Sequence, residues 1–565
     1  MPHPVFIMTS LGPIFADDLA RIKPGDRLRL TISAQTSDAA ALAQAALEAR
    51  ARGERVLVVC ADPADVPRLA QEMPWFEPKL DVRPLPDWET LPYDVLSPQE
   101  ELVSERLEAL YRLTAPTGGA DVLLTSAVTA SQRLSPVSYI GANTFFFHQG
   151  EQISLTTLQK RLAAAGYANV KQVLAAGEFA VRGSIVDVFP MGSERPFRLD
   201  FFDDEIESIR WFDVDTQRSM ESAEEIRLLP GHEFPVDPEA LLAFRQRWRR
   251  EFAGDPKKSI VYCDIEKEIL PPGIEYYLPL FFDETAALTD YLPPNARVFL
   301  LGDIEAALQA FGRDMASHYK VLAADPQRPA LAPERIWLKP EEFFKSLANF
   351  ARFTVEEKEN AEDLKRLTGI EVDRKSQNPV GKLLERTRES AMKGVRTLIA
   401  APSAGRMETM SQLLRTGGLS VEEFPDWQTF LDADSALGIA AAPLFSGAVF
   451  HHPEIVILSE AELYAASPRR HRLRRVKHAT TLEMMVRDVA ELKPGDAVVH
   501  ADHGIGRYQG LVHMETPDGD AEFLEITYKN DAKLFVPITN LQLISRYAGA
   551  DPEHAPLHQL GRGDW

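Results

Sequence analysis

The turn after the first predicted strand decides what kind of α/β domain opens this chain. Residues 28–32 read as a strand, 40–52 as a helix and 56–60 as a second apolar strand. In a nucleotide-binding domain of this layout the turn carries G-x-x-x-x-G-K-[ST], whose backbone amides cradle phosphate and whose lysine pairs with it. Here it reads Ser33-Ala34-Gln35-Thr36-Ser37-Asp38, without glycine or lysine, and Asp38 puts a carboxylate where phosphate would sit. The layering of a nucleotide-driven domain is kept while its phosphate site is gone. That combination points to binding and away from catalysis.

A length of 565 residues suggests about four domains. The expected class is a multidomain α/β protein. A degenerate RecA-like α/β domain occupies residues 1–143 and 231–350, interrupted by a β-rich module at 144–230. In that module residues 178–215 are dense in β-branched and aromatic side chains, and Asp203-Asp204 makes a hairpin turn. In the second stretch of the host, 240–252 reads as a helix, and 260–263 and 298–301 read as strands. Residues 351–380, polar at their core, are expected to be a linker, and 381–466 a second α/β domain. A basic run (Arg469, Arg470, Arg472, Arg474, Arg475, Lys477) marks a flexible linker over 467–488. Residues 489–550 alternate as β strands, with Leu524, Ile526 and Tyr528 on one face, and their length suits a small SH3- or Tudor-like barrel.

The net charge of −22 argues against a general nucleic-acid coat. Two cysteines, Cys60 and Cys263, exclude a disulfide framework or a cysteine-based zinc site. No apolar run approaches the roughly 20 residues that span a bilayer. The first residues lack the basic start and apolar stretch of a secretion signal. A cytoplasmic monomer without membrane contact is the expectation.

Few residues suggest chemistry. The acidic end of Leu199-Asp200-Phe201-Phe202-Asp203-Asp204-Glu205 suits a hairpin turn better than a metal-holding pair. His500-x-x-His503 shows no third ligand and suits a polar turn before Gly504 better than zinc. The basic run could touch DNA phosphates or simply be a solvated tether. No catalytic constellation, cofactor site or metal site is readable. Two groups suit protein contact. Arg182, Arg198 and Phe202, on neighbouring strands of the β-rich module, are either two guanidiniums beside an aromatic anchor or surface arginines and a core phenylalanine. Leu511 and Met514, flanking His513 in the terminal module, are either an edge strand open to a partner or core.

Longer strings carry a resemblance. Asp87-Trp88-Glu89-Thr90-Leu91-Pro92-Tyr93-Asp94, Gly177-Glu178-Phe179-Ala180-Val181-Arg182-Gly183, Phe201-Phe202-Asp203-Asp204-Glu205-Ile206, Val499-His500-Ala501-Asp502-His503-Gly504-Ile505-Gly506-Arg507-Tyr508 and Asn530-Asp531-Ala532-Lys533-Leu534-Phe535-Val536-Pro537 resemble signatures of the bacterial transcription-repair coupling factor (Mfd) family. The resemblance covers nearly the whole chain, most thinly over residues 253–380. It implies a UvrB-like first domain without a working nucleotide site and an inserted module that binds UvrA through Arg182, Arg198 and Phe202. It also implies a family-specific α/β domain, and a CarD-like terminal module that holds the RNA polymerase β subunit through Leu511 and Met514. Other family members carry leucine at the Met514 position, so the side chain differs while its apolar character stays.

On this resemblance the chain ends ahead of two helicase-type motor domains and a C-terminal regulatory domain, and residues 551–565 start the connector to them. ATP, Mg²⁺, DNA translocation and most DNA contact are then expected of the longer protein. The UvrA surface, which the regulatory domain masks in the family, is expected to be open. The expected role is an adaptor for transcription-coupled excision repair. The alternatives are a UvrB-like ATP-dependent damage-recognition subunit and a CarD-like transcription regulator.

Overall fold

The computed structural model describes residues 21–34, 37–114, 119–373, 376–464, 497–500, 504–516, 519–529, 532–537 and 544–546. The chain forms two units, residues 1–470 and 471–565.

The first unit is built on a six-stranded sheet in the order β1 (Arg27–Ser33), β14 (Ala351–Lys358), β13 (Arg297–Leu301), β2 (Val56–Cys60), β4 (Val122–Ser126) and β3 (Val82–Pro84). Every pairing in it is parallel. β2, β4 and β13 are buried along their whole length, because helices cover both faces of a parallel sheet and their sequences are accordingly near-continuous apolar runs. β1 lies at the edge and alternates, with Leu30 and Ile32 buried and Arg27 and Arg29 exposed.

The helix Asp38–Ala51 follows β1, and its small alanines let it pack closely on nearly every side. Its N-terminus, the place where a nucleotide domain receives phosphate, is capped from within. Ser37 Oγ accepts the Ala40 N–H at 3.3 Å and Asp38 Oδ1 accepts the Ala39 N–H at 2.8 Å. The buried Asp38 carboxylate takes both ends of the Arg68 guanidinium, at 2.8 and 2.6 Å. Arg68 also donates to Asp65 and Glu72, each at 2.8 Å. Burial pushes the Asp65 and Glu72 carboxyls up, against the opposing pull of Arg68. The expectation that Asp38 brings a carboxylate to this turn is met, and the cation it meets is the chain's own.

A second α/β layer packs against the first. Its sheet runs β16 (Glu422–Phe424), β17 (Leu437–Ala441), β15 (Arg396–Ala401), β19 (Glu454–Ser459), β18 (Ala448–His451), parallel except for the β18–β19 pair. One core joins the two layers. Trp427 lies 5.5 Å from both Trp75 and Phe76, and Trp75 Nε1 donates to the Ala441 carbonyl at 3.2 Å. Glu72 adds a polar tie by accepting the Phe445 N–H at 3.0 Å.

Two expectations are corrected. Residues 351–380 are not a linker: Ala351–Lys358 is β14, inside the first sheet, and Leu367, Ile370 and Val380 belong to the core of the second layer. The apolar residues in that polar stretch are few, but Ala351, Phe353, Val355, Leu367, Ile370 and Val380 are all buried. Residues 260–263 are not a strand but the start of the helix Ile260–Glu266, whose N-cap Ser259 accepts the Tyr262 N–H at 3.4 Å. Val261, Tyr262 and Ile265 bury one helical face.

The second unit contains a five-stranded antiparallel sheet ordered β23 (Lys533–Pro537), β22 (Gly519–Thr527), β21 (Gly504–Thr516), β20 (Ala497–His500), β24 (Ile544–Arg546). Leu524, Ile526 and Tyr528 are buried together, as their alternation predicts. The basic run at 469–477 lies outside the described residues.

Arg68→Ala strands Asp38 and Glu72 in the interior without a cation, at a cost of about 3–5 kcal/mol. Urea denaturation of the variant should show a matching fall in midpoint, and an unchanged midpoint would mean that the cluster contributes nothing.

Candidate protein-interaction sites

The inserted module is built on a sheet ordered β11 (Ser219–Ala223), β10 (Glu205–Phe212), β9 (Phe197–Phe202), β8 (Ile185–Val188), β7 (Glu178–Arg182), β6 (Ala168–Asn169). A separate two-stranded ribbon pairs β12 (Glu225–Leu228) with β5 (Phe145–His148). The period of two along β9 sends Phe197, Leu199 and Phe201 inward and leaves Arg198, Asp200 and Phe202 on the other face. The inner face has no core of its own. Phe179, Val186, Leu199 and Ile209 share one apolar cluster with Leu57, Leu107, Leu110 and Leu123 of the host.

Polar contacts fix this seating. Arg106, on the host helix Glu100–Thr114, is fully buried and donates to Glu233 at the module's exit, at 2.5 and 3.2 Å. Its remaining donors reach the Gln132 side chain at 3.0 Å and the Pro86 carbonyl at 2.7 Å. Trp88 Nε1 donates to Glu233 at 3.3 Å, and the Arg106 guanidinium lies 5.3 Å from the Trp88 ring. The 87–94 string is therefore structural: Trp88 and Tyr93 pack with Tyr276 in an aromatic core. Gly192 lets the module come close. Its φ is +75°, and a Cβ there would stand 2.7 Å from Glu108 Oε2.

The outer face gathers the residues singled out from sequence. The register aligns Ala180, Asp187 and Arg198 across three strands, and Arg182, Ile185 and Asp200 on the next rung of the same face. Asp187 is fully buried and sits between the two arginines. Arg198 Nε and Nη2 donate to it at 2.6 and 3.0 Å, and Arg182 Nη2 donates to the same carboxylate. Arg198 Nη1 is spent on the Gln217 carbonyl at 3.1 Å and Ser219 Oγ at 3.2 Å, and its guanidinium lies 4.9 Å from the Phe212 ring. The hydrogen bond to Asp187 holds Arg198 above its ordinary pKa.

The three residues thus differ in what they can offer. The Arg198 side chain is only 18% exposed, that of Arg182 is 49% exposed, and Phe202 is 69% exposed at the hairpin tip. Phe202 is no core residue, and Arg198 is no free surface arginine. Sequence reasoning missed Asp187, whose one signal was a lone carboxylate inside the apolar run Ile185-Val186-Asp187-Val188. It also missed the Arg106–Glu233 pair, which no spacing reveals.

In the second unit Leu511 and Met514 lie on β21, opposite Leu524 and Ala521 of β22. Their side chains lie outside the described residues. β20 pairs with β21 only over residues 504–507, so among the described residues the backbone of 511–514 is paired on one side alone. His500 lies on β20, and His503 is outside the described residues.

These features define a class: a chain of several α/β and β modules, one of them seated on a host whose helix after β1 is capped from within. Family models identify the modules. Residues 145–234 match the UvrB interaction domain, 391–463 the MFD D3 domain, and 492–548 the CarD-like/TRCF RID domain. The chain is 38% identical over 520 residues to the transcription-repair-coupling factor of Escherichia coli K12, covering 90% of this chain and 44% of the relative. It is also 38% identical to that of Haemophilus influenzae, covering 86% and 42%, and 25% identical to that of Bacillus subtilis, covering 82% and 40%. The chain is thus similar over most of its own length to transcription-repair coupling factors, and it spans less than half the length of these relatives.

Glu233→Ala leaves the Arg106 guanidinium buried without an anion, and the first unit should lose about 3–5 kcal/mol of stability. Limited proteolysis should then cut the module's exit near residue 233 faster than in the parent. Equal cleavage rates would show that the pair does not hold the module in place.

Proposed function

We propose that this chain is an adaptor for transcription-coupled nucleotide excision repair, holding RNA polymerase through its second unit and UvrA through its inserted module. The observation that carries the reading is the presence on one chain of a UvrB interaction domain and a CarD-like/TRCF RID domain. The module's seating supports it: the inner face is consumed by the host core, which leaves the Arg182 and Phe202 face for a partner. The half-paired backbone at 511–514 supports the second contact, because such an edge accepts a partner strand while Leu511 and Met514 supply apolar contact. The polymerase β subunit is the partner we assign there.

The chain acts as a monomer in this reading, and neither contact uses a cofactor. Coupling is by effective concentration: a UvrA molecule held on the same polypeptide as a stalled polymerase stays near it without any new contact between them. ATP-driven translocation, with its Mg²⁺ and its DNA contacts, we assign to the part of the relatives' length that this chain does not span. The internally capped helix after β1 favours this over an ATP-dependent damage-recognition subunit, since Asp38 and Arg68 occupy the place where phosphate would bind.

Capture by the purified chain tests both contacts. Arg182→Ala combined with Phe202→Ala should weaken UvrA capture by at least tenfold, as loss of a paired arginine and aromatic anchor does. Polymerase capture should be unchanged. Met514→Arg should abolish capture of the β subunit, by placing a charge in an apolar contact, with the circular-dichroism spectrum preserved. UvrA affinity untouched by the first pair, or an unfolded Met514→Arg protein, would overturn the respective assignment.

A further inference from the structure

The outer face of the module does not treat its two arginines alike. Arg198 spends Nε and Nη2 on Asp187 and Nη1 on Gln217 and Ser219, and only 18% of its side chain remains exposed. Arg182 engages Asp187 through Nη2 alone, and about half of its side chain faces solvent. Asp200, on the same rung as Arg182, accepts instead from Ser184 Oγ at 3.3 Å. The fully buried Asp187 is thus gripped from one side by Arg198 and grips Arg182 on the other.

We infer that Asp187 is a positioning residue of the partner-binding face. Arg198 locks its carboxylate, and the carboxylate in turn holds the Arg182 guanidinium through one Nη2 hydrogen, which leaves one two-nitrogen fork of that half-exposed guanidinium for a partner on the face that also carries Phe202. The chemistry that fits this fork is a carboxylate on the partner protein, because a guanidinium fork recognises a planar anion with two parallel hydrogen bonds. A long side chain at a strand end ordinarily loses rotamer freedom on binding, and one already tethered loses less. Arg198 in this account touches no partner. Its contribution passes through Asp187 to Arg182.

The inference rests on the proposed UvrA contact, and a double-mutant cycle separates the two. The affinity of the whole chain for UvrA would be measured for the parent, Arg182→Ala, Asp187→Asn, the double variant and Phe202→Ala. Asp187→Asn should weaken binding about tenfold in the parent, the scale of losing a preorganised charged contact. In the Arg182→Ala background it should change nothing further. An equal loss in both backgrounds would mean that Asp187 serves only the module's stability, and no loss in either would remove it from the site; both overturn the inference. Arg198→Lys, which keeps the charge but loses the fork, carries the same cycle if Asp187→Asn lowers the folded fraction. It too should weaken binding only when Arg182 is present. If Arg182→Ala and Phe202→Ala both leave the affinity at the parent value, the fault lies with the UvrA assignment itself.

Discussion

The buried pair Arg106–Glu233 is the interaction on which this arrangement depends. One partner comes from a host helix and the other from the segment by which the module returns to the host. An ion pair without water survives only when its geometry is complete, because desolvation otherwise exceeds the attraction. Here the guanidinium also reaches Gln132 and Pro86, and Trp88 joins at the carboxylate, so four of the five guanidinium N–H groups have acceptors. With the module seated in this way, its inner sheet face merges with the host core. Only the outer face is left to meet a partner, and the place of Arg182 and Phe202 on the molecule follows from that.

The same solution recurs with the signs reversed. At Arg68 one guanidinium satisfies three carboxylates, and at Asp187 one carboxylate satisfies two guanidiniums. The first stands at the N-terminus of the helix after β1. A nucleotide domain leaves that position for an external anion; here Asp38 is the anion and Arg68 its counter-ion. The cluster also reaches the second α/β layer through Glu72 and the Phe445 amide. The position that receives phosphate in a nucleotide domain is here filled by an ion pair of the chain's own.

Sequence periodicity was sufficient where burial is simple. The continuous apolar runs of β2 and β4 and the alternation of Leu524, Ile526 and Tyr528 were legible because each reports on a single neighbouring layer. It failed where burial comes from far along the chain. Residues 260–263 look like a short apolar strand, and only a cap at Ser259 and packing of Val261, Tyr262 and Ile265 make them a helix. Residues 351–358 look polar at their end, yet they pair between β1 and β13 in the first sheet. The candidate face was legible in its arginines and its aromatic residue. The acid that organises it was not, because the partners of Asp187 lie five and eleven positions away, on two other strands.

The account's central claim is that one chain holds two large partners at once without nucleotide. The most direct test immobilises UvrA and passes RNA polymerase over it, with and without this chain and with no ATP present. The account predicts that polymerase is retained only when the chain is present. Retention that requires ATP, or no retention although each partner binds the chain singly, would contradict it.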